Sequence, residues 1–464
     1  MLRPRFYLPA AFAGAVLSTV ALAQENAGPR PYEGHHLVRV ELRNAEQVRR
    51  MEKLDLDCWC EGLRIGVLDF RVPPEDMEAL RRSGLRFEVV SENLQPRVDA
   101  EAARIEQHNR QDGGDWYADY KNADQILARI DELVAAHPDL AEVIDIGDSI
   151  EGRDIWAVRV TAGSGDRPAI LFNSCQHARE WISPMTTMFV LEKLLTGYGE
   201  DERITALVNG TEFFVIPLVN PDGYRYSWDS FRFWRKNRRD NGGGTWGVAL
   251  NRNWGVGWGG GGSSGNPNSE TYRGAGPFSE PETQTMRAFY EAHPNVNASI
   301  DFHSHGELAL YPWAFQRGGP DDGGVHANTS EAMVDAIFDV HGLSYVAGPV
   351  FETLYQASGA SVDWTWGDED VYSWTIELRG PGFDPPPSTI RPNVEENLQA
   401  ALTLAELHGG TGVEGDVDGD GFVNFDDLLM VLAAWGPCKD CPEDLDGNGI
   451  VDFNDVLLVL SNWS

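Results

Sequence analysis

The chain has 464 residues and is poor in basic side chains, in cysteine and in long apolar runs. It carries 37 Lys and Arg against 72 Asp and Glu, which gives a formal net charge of −35. Because so acidic a protein is repelled by phosphate backbones and anionic lipid surfaces, we expect neither nucleic acid nor a charged membrane surface as a partner. Five cysteines cannot build a disulfide scaffold in a chain of this length, so its domains must have hydrophobic cores.

The cysteines form two close pairs and leave one single residue. Cys58 and Cys60, and Cys438 and Cys441, are near enough in sequence to form disulfides within loops of an exported protein. Each pair lacks the nearby partners that a metal site would need. We expect Cys175 to pack as a small hydrophobic residue.

Residues 1–23 have the composition of a cleavable secretory signal. Two arginines precede an apolar run that ends with small residues at Ala21 and Ala23. The run is short for a membrane span, and no later stretch approaches one. We therefore predict a secreted, extracellular protein without membrane insertion, and the alternative is an N-terminal anchor.

Residues 31–95 alternate three strand patterns with two helix patterns, which indicates a small α+β domain. The following segment, 96–114, is polar and carries Arg97, Arg104 and Arg110. These features are typical of an exposed connector that a protease can cut.

Residues 115–409 alternate strand and helix patterns, several strands being apolar on both faces, as in a sheet covered by helices on each side. We predict an α/β fold with a mixed sheet and helices on both faces. The strand patterns are 143–148, 156–161, 169–174, 213–220, 298–304 and 373–378, and the helix patterns are 123–136, 183–195, 280–291, 325–341 and 393–408. The glycine-rich stretch 241–265 is predicted to be a long loop.

Residues 412–464 contain two related units in which oxygen-bearing side chains occupy loop positions 1, 3 and 5, with glycine at 6 and an acid at 12. This is the pattern of an EF-hand-like calcium loop, and it predicts two structural Ca²⁺ ions in a small helical module. The predicted ligands are Asp416, Asp418, Asp420 and Asp427 in the first unit, and Asp444, Asp446, Asn448 and Asp455 in the second. The alternative is a pair of acidic, solvated turns.

This tail resembles dockerin modules, which have two such loops, each followed by an apolar helix. The resemblance implies a cohesin-like domain as a partner. The short insert with Cys438 and Cys441 departs from the usual pattern.

A second metal site is indicated in the central segment, where His177 and Glu180 follow an apolar strand pattern. A catalytic zinc site needs three protein ligands and one open position, and His303, after another strand, is the third candidate. Amide hydrolysis also needs a base, and Glu377 stands inside an apolar strand where an acid requires a partner or a function. The alternative for Glu377 is an ion pair with an arginine such as Arg379.

The segment from Asp115 to His408 resembles zinc carboxypeptidases of the pancreatic carboxypeptidase A type. The matching blocks, in order, are QHAREWIS, FRFWRKNRR, NRNW, DFHSH, YQASGASVDW and TIELRG. The resemblance implies one zinc ion held by His177, Glu180 and His303, with Glu377 as general base. It also implies that Arg235 stabilises the oxyanion, that Asn251, Arg252 and Tyr355 bind the terminal carboxylate of a peptide, and that Arg179 lines the approach.

Two further consequences of this resemblance concern specificity and the metal. Val362 occupies the position whose charge determines which C-terminal side chain the family's enzymes prefer. A neutral residue there implies release of C-terminal aromatic or large aliphatic residues. Asp301 and Glu369 are candidates for adding tolerance of basic C-terminal residues. Ala249 stands where the family usually has an aspartate that orients the first zinc histidine. His305 replaces a tyrosine and is expected to alter the subsite for the penultimate residue.

Residues 31–95 resemble, more loosely, the prodomains of this family, which implies a zymogen activated by a protease within 96–114. The alternative is a permanently attached accessory domain.

We therefore predict a secreted zinc metallocarboxypeptidase acting on peptides and proteins with a free C-terminus. The competing hypotheses are a catalytically weak or silent peptide-binding protein, motivated by Ala249, and a component of an extracellular assembly attached through its tail.

Overall fold

The computed structural model describes residues 30–59, 63–110, 114–162, 167–410, 415–417, 423–438, 441–446 and 448–463. The predicted signal segment, Cys60, and the calcium-loop residues Asp418 and Asp420 lie outside these residues. Across the described residues, none of the helices has the length and apolar character needed to cross a bilayer.

The N-terminal unit is a four-stranded antiparallel sheet with two helices around one hydrophobic core, followed by a third helix. Its elements are β1 (His36–Leu42), α1 (Ala45–Glu52), β2 (Asp57–Cys58), β3 (Gly66–Val72), α2 (Met77–Arg82), β4 (Phe87–Ser91) and α3 (Gln95–Asn109). The sheet order is β2-β3-β1-β4. In β1 the buried Val38, Val40 and Leu42 alternate with exposed residues, so one face of the sheet packs inward. The predicted small α+β domain is thus present.

The segment predicted as an exposed connector is largely helical. Helix α3 buries Gln95, Glu101 and Ile105, and Glu101 pairs with the buried Arg232 of the central unit. Proline at the first turn of α3 suits a helix start. The polarity of this segment therefore reflects ion pairs across an interface rather than exposure along its whole length.

The central unit is built on an eight-stranded mixed sheet with the order β13-β12-β14-β11-β7-β8-β6-β5. Its elements are α4 (Ala123–Ala136), β5 (Ala141–Asp148), β6 (Asp154–Val160), β7 (Ala169–Ser174), α5 (Ile182–Gly197), α6 (Glu202–Gly210), β8 (Glu212–Ile216), α7 (Pro221–Asp229), β9 (Asp240–Gly242), β10 (Thr245–Trp246), α8 (Pro281–Ala292), β11 (Val296–Ser304), β12 (Leu308–Tyr311), α9 (Val325–His341), β13 (Val346–Pro349), α10 (Val350–Thr353), α11 (Ser361–Gly367), β14 (Tyr372–Leu378) and α12 (Ile390–His408). The predicted α/β fold is confirmed.

The six predicted strands and five predicted helices of this unit are all present; β7, α4 and α9 have the predicted bounds and the others have shifted ends. Strand β8 is shorter than predicted because the chain leaves the sheet at Pro217, and Asn220 then caps α7. The missed elements, among them α6, α7, β12, β13 and α11, are short or carry little periodicity. Such segments depend on their tertiary neighbours more than on their own pattern.

The four central strands β8, β7, β11 and β14 are parallel, so their carboxyl ends meet at one edge of the sheet. His303 lies at the end of β11, and the loop after β7 carries His177. Strand β14 places Glu377 in register with His303. Sites in α/β sheets form at this edge.

The glycine-rich stretch is packed against the central unit rather than projecting from it. Gly262 has φ of +75°, and a Cβ there would lie 1.7 Å from the carbonyl oxygen of Gln356. Only glycine permits this approach, which brings the loop beside Arg252 and Tyr355.

The tail forms two helices joined by a short antiparallel pair of strands. Its elements are α13 (Phe425–Ala433), β15 (Gly436–Pro437), β16 (Ile450–Val451) and α14 (Phe453–Ser461). Five buried valines form the centre of its core. Cys438 and Cys441 form a disulfide, as predicted, and Cys58 is disulfide-bonded. Cys175 is buried as a free thiol, also as predicted.

Candidate active site

His177, Glu180 and His303 converge in a buried cluster. One ligand atom from each lies within 4.8 Å of the others. Nδ1 of His177 is 2.8 Å from Oε1 of Glu180, and Nδ1 of His303 is 3.0 Å from Oε2 of the same carboxylate. The backbone amide of Ser304 also donates to Glu180 Oε2, at 3.1 Å, which fixes the carboxylate between the two rings.

The chemistry of these donors fits a zinc ion. The two Nδ1 atoms lie 3.0 Å apart beside a carboxylate, so nitrogen and oxygen atoms of three side chains converge on one point, as the ligands of a metal ion do. Burial, reinforced by the Arg235 charge, lowers the pKa of His177 well below its usual range, whereas burial is outweighed at His303, where the charges of Asp301 and Glu180 raise the pKa. Two histidines and one glutamate are a recognised catalytic zinc set.

Glu377 lies beside this cluster on the neighbouring strand. It is 3 % exposed, and it pairs in register with His303 across the parallel strands β14 and β11. Residues paired in this way project from the same face of a sheet, so the carboxylate and the ligand ring are neighbours. Arg379, the alternative partner considered for Glu377, donates instead to Glu396 at 2.7 Å.

Three basic or amide groups predicted to bind substrate surround the cluster. Arg235 is buried, with its guanidinium 3.8 Å from Glu180 Oε1. Asn251 places Nδ2 3.3 Å from Nε2 of His303. Arg252 donates to the hydroxyl of Tyr355 at 2.9 Å and is held by the carbonyl of Gly262 at 2.9 Å. The structure thus brings all of these side chains to one site.

Arg179 is engaged by the N-terminal unit. Its guanidinium donates to Asp57 at 2.8 Å and lies 3.9 Å from the ring centre of Phe383. Burial opposes ionisation of Asp57, but the guanidiniums of Arg179 and Arg71 hold its pKa below the usual value. His305 lies 3.2 Å, through Nε2, from the carbonyl oxygen of Trp59. The N-terminal unit therefore contacts two predicted substrate-binding positions.

Val362 lies in a separate apolar cluster beside Tyr355. The buried members are Leu310, Ala314, Val350, Leu354, Ala357, Ala360 and Val362. The adjacent Asp363 does not add a free charge, because its two oxygens accept from the backbone amides of Ala314 and Phe315 at 2.7 and 2.9 Å. Burial raises its pKa to about 7. Glu369 lies near the charges of Glu291 and Arg287 on helix α8.

The second calcium loop gathers three of its predicted ligands. Carboxylate oxygens of Asp444, Asp446 and Asp455 lie within 4.8 Å of one another. Asp455 is buried and accepts from the amides of Leu445 and Asp446 at 2.7 and 3.2 Å. In this loop the backbone amide of Asn448 donates to Oδ1 of Asp444 at 3.1 Å. In the first loop, Asp427 is likewise buried and accepts from the amide of Val417 at 2.7 Å, and Asp416 is among the residues of this loop that the structure describes.

Two residues near the site were not predicted to act there. Asp301 was considered only for its charge, yet Oδ2 lies 2.8 Å from Nε2 of His303. An acid inside the apolar strand pattern of β11 is the same signal that identified Glu377. Asp57 has no such signal, since its contact with Arg179 spans 122 positions of the chain.

Comparisons with known proteins agree with this geometry. The zinc carboxypeptidase family model matches residues 126–400. Carboxypeptidase A1 of Rattus norvegicus is 34% identical over 403 residues, which cover 83% of this chain and 96% of the relative. Carboxypeptidase A1 of Sus scrofa is 34% identical over 410 residues, covering 84% and 97%.

A solved structure gives the same result at the level of the fold. Carboxypeptidase A from Helicoverpa armigera superimposes with a TM-score of 0.74 and 26% identity, covering 81% of this chain and 98% of that one. The aligned length exceeds the family match, so the likeness includes residues outside 126–400. The chain therefore belongs to the zinc carboxypeptidase family and is a zinc metallocarboxypeptidase.

Proposed function

We propose that this protein removes aromatic or large aliphatic residues from the C-terminus of peptides, and that it is secreted as a zymogen. The observation that carries the catalytic part is the convergence of His177, Glu180 and His303, with Glu377 in register beside His303. Family membership supplies the reaction class, and the arrangement of the surrounding side chains supports the roles proposed below.

The three ligands would hold zinc, whose chemistry when bound is polarisation of the scissile carbonyl and acidification of water. Glu377 accepts the proton of the attacking water and passes it to the leaving amine, so the base is restored after each turnover. Arg235 lies close enough to the ligand cluster to stabilise negative charge that develops on the carbonyl oxygen.

The requirement for a free C-terminus follows from Arg252 and Asn251. A planar guanidinium reads a carboxylate through two parallel hydrogen bonds, which a peptide without a terminal carboxylate cannot form there. In the structure Arg252 is held by Gly262 and Tyr355, so it is oriented before substrate arrives. The apolar cluster around Val362 supports a preference for Phe or Leu as the released residue.

The zymogen proposal is supported by the contacts of Asp57 with Arg179 and of Trp59 with His305. A peptide that needs these positions must displace the N-terminal unit. Among the three arginines of the former connector, Arg97 and Arg104 pair with Asp384 and Asp119 of the central unit. Arg110 has a side chain 73% exposed at the end of α3, so we propose it as the activation site for a trypsin-like protease.

The direct test is hydrolysis of blocked dipeptides ending in Phe, Leu, Arg or Glu by the full-length chain before and after limited trypsin treatment. We expect release of Phe and Leu only after cleavage, abolished by a zinc chelator and restored by zinc. Bound zinc without release of any residue would favour the peptide-binding hypothesis instead. Equal activity before and after cleavage would contradict the zymogen proposal.

Asp57→Asn provides the control for the zymogen part. It removes the charge that pairs with Arg179 and Arg71 while keeping the size of the side chain. We expect uncleaved Asp57→Asn to be more active than the uncleaved wild type, because a buried guanidinium left without its counter-charge weakens the interface. After trypsin treatment the two proteins should be equally active.

The tail is proposed to bind two calcium ions. The three converging carboxylates of the second loop support this, since without a cation they repel one another. We expect EGTA to expose residues 412–464 to limited proteolysis, and calcium but not magnesium to restore protection, because the flexible oxygen-rich loop suits the larger ion. An unchanged digestion pattern in EGTA, mapped by mass spectrometry, would refute the proposal. The variant Asp455→Asn should have the same effect as EGTA on the second calcium loop.

We also propose that the tail docks onto a cohesin-like domain. Its two helices expose the same apolar stripe, and equivalent residues are 28 positions apart in the chain. The pairs are Phe425 and Phe453, Leu429 and Leu457, Leu432 and Leu460, and Trp435 and Trp463, each side chain 45–62% exposed. A contiguous apolar surface of this kind is typical of a protein interaction site.

A further inference from the structure

Asp301 is a buried carboxylate that contacts a predicted zinc ligand. It is 5% exposed and stands two residues before His303 in β11. Its Oδ2 lies 2.8 Å from Nε2 of His303, whereas Nδ1 of the same ring faces Glu180 and His177 at 3.0 Å each. The imidazole of His303 therefore connects Asp301 on one side with the ligand cluster on the other.

This contact directs one ring nitrogen to the outer carboxylate and the other to the ligand cluster. Because a carboxylate is chiefly a hydrogen-bond acceptor, the geometry favours donation from Nε2 of His303 to Asp301. In the neutral ring Nδ1 then keeps its lone pair, directed at Glu180 and His177, which is the form that binds a metal. Asn251 Nδ2 lies 3.3 Å from Nε2 of the same ring, farther than the 2.8 Å of Asp301 Oδ2, while Oδ1 of Asn251 accepts from the amide of Ser361 at 2.9 Å.

The carboxylate of Asp301 is itself held on several sides. Asn173 donates to Oδ1 at 2.7 Å, and Gln176 and Ser361 donate to Oδ2 at 2.5 and 3.1 Å. These donors come from β7, from the loop that carries His177, and from α11. A carboxylate held by donors from three elements has a fixed position. It can therefore fix the orientation of the His303 ring at the ligand cluster.

His177 has no equivalent support. Its Nε2 is buried and, among the residues that the structure describes, has no hydrogen-bond partner. Ala249, at the position where an aspartate was expected, is also buried and offers no polar atom in its side chain. Of the two histidine ligands, His303 is therefore the one oriented by a carboxylate in the described part of the chain.

We propose that Asp301 is the positioning residue of this metal centre, holding the ring of His303 with Nδ1 toward Glu180 and His177. This inference deepens the proposed function and rests on it for the identity of the metal. It assigns the outer carboxylate to the second histidine ligand instead of the first.

The test uses the full-length chain and measures zinc affinity by competition with a chromophoric chelator. Asp301→Asn is expected to raise the zinc dissociation constant about 10- to 100-fold, because amide nitrogen or oxygen replaces a charged acceptor at His303. Asp301→Ser removes the carboxylate and leaves a smaller side chain. It should show the same loss of zinc affinity, and it is the variant to measure if Asp301→Asn does not fold. The unfolding temperature of each zinc-free protein is measured in parallel.

Ser330→Ala is the control. It removes one buried hydrogen bond of the central unit, from the hydroxyl of Ser330 to the carbonyl of Ala309 at 2.7 Å, and leaves the contacts of Asp301 in place. We expect it to lower the unfolding temperature of the zinc-free protein by a few degrees, about what loss of one buried hydrogen bond causes, with the zinc dissociation constant within threefold of wild type. An effect on zinc as large as that of Asp301→Asn would show general loosening and overturn the proposal.

An unchanged zinc dissociation constant in both Asp301 variants would also overturn it. The measurement needs no peptidase activity, so it separates this inference from the proposed function. A wild-type protein that binds zinc and loses affinity on Asp301 exchange, yet releases no residue from any dipeptide, would support the role of Asp301 and refute the proposed hydrolysis.

Discussion

Replacing Glu377 with glutamine is expected to lower kcat/KM for a blocked dipeptide ending in Phe by about 10²- to 10⁴-fold, the usual contribution of a general base. Glutamine keeps the shape of the side chain but cannot accept the proton of the attacking water. Because Glu377 is outside the ligand set, zinc content should stay at one ion per chain. The loss should therefore lie in kcat, with little change in KM.

Glu212→Gln is the matched control for this exchange. Glu212 is also a largely buried acid on a strand of the large sheet, but it pairs with Arg159 away from the active site. Activity of Glu212→Gln should stay within a few-fold of wild type once the protein is folded. If Glu377→Gln kept activity within threefold, or lost its zinc, the assignment of Glu377 as the base would be wrong.

Replacing Val362 with aspartate is expected to reverse the substrate preference. In the wild type an Arg side chain entering the apolar cluster would leave its charge without a partner, whereas Phe gains by burial. An uncompensated buried charge costs about 3–5 kcal/mol, so the ratio of kcat/KM for Arg over Phe should rise by more than about 10²-fold. The measurement is steady-state hydrolysis of two blocked dipeptides that differ only in the last residue.

Val362→Asn separates charge from polarity in this experiment. It has nearly the same size as Asp but no charge, so release of Phe should fall without a matching gain for Arg. Appreciable release of Arg by the wild type would mean that another acid reaches the substrate side chain. Asp363 is not expected to do so, since both of its oxygens accept from backbone amides.

Local patterns were sufficient for much of the fold. The helix predicted at 123–136 coincides with α4, and β7 has the bounds of its apolar run, because strong periodicity and clear end signals decide such elements locally. The polar segment after residue 95 was predicted as an exposed connector, and its helical structure with two buried positions was not foreseen. Its Glu101 is buried only because Arg232 is brought against it from a position 131 residues later in the chain.

Short motifs with specific residue types in a fixed order were enough to indicate the family, the α/β class and the residues proposed for the chemistry. How those residues support one another depends on the three-dimensional fold. The pairing of Asp301 with His303, the absence of a partner for Nε2 of His177 among the described residues, and the contact of Asp57 with Arg179 depend on ring orientation and on the docking of one unit onto another. Hydrogen bonds require atoms to meet within about 3 Å, and no spacing along a chain specifies that distance between separate elements.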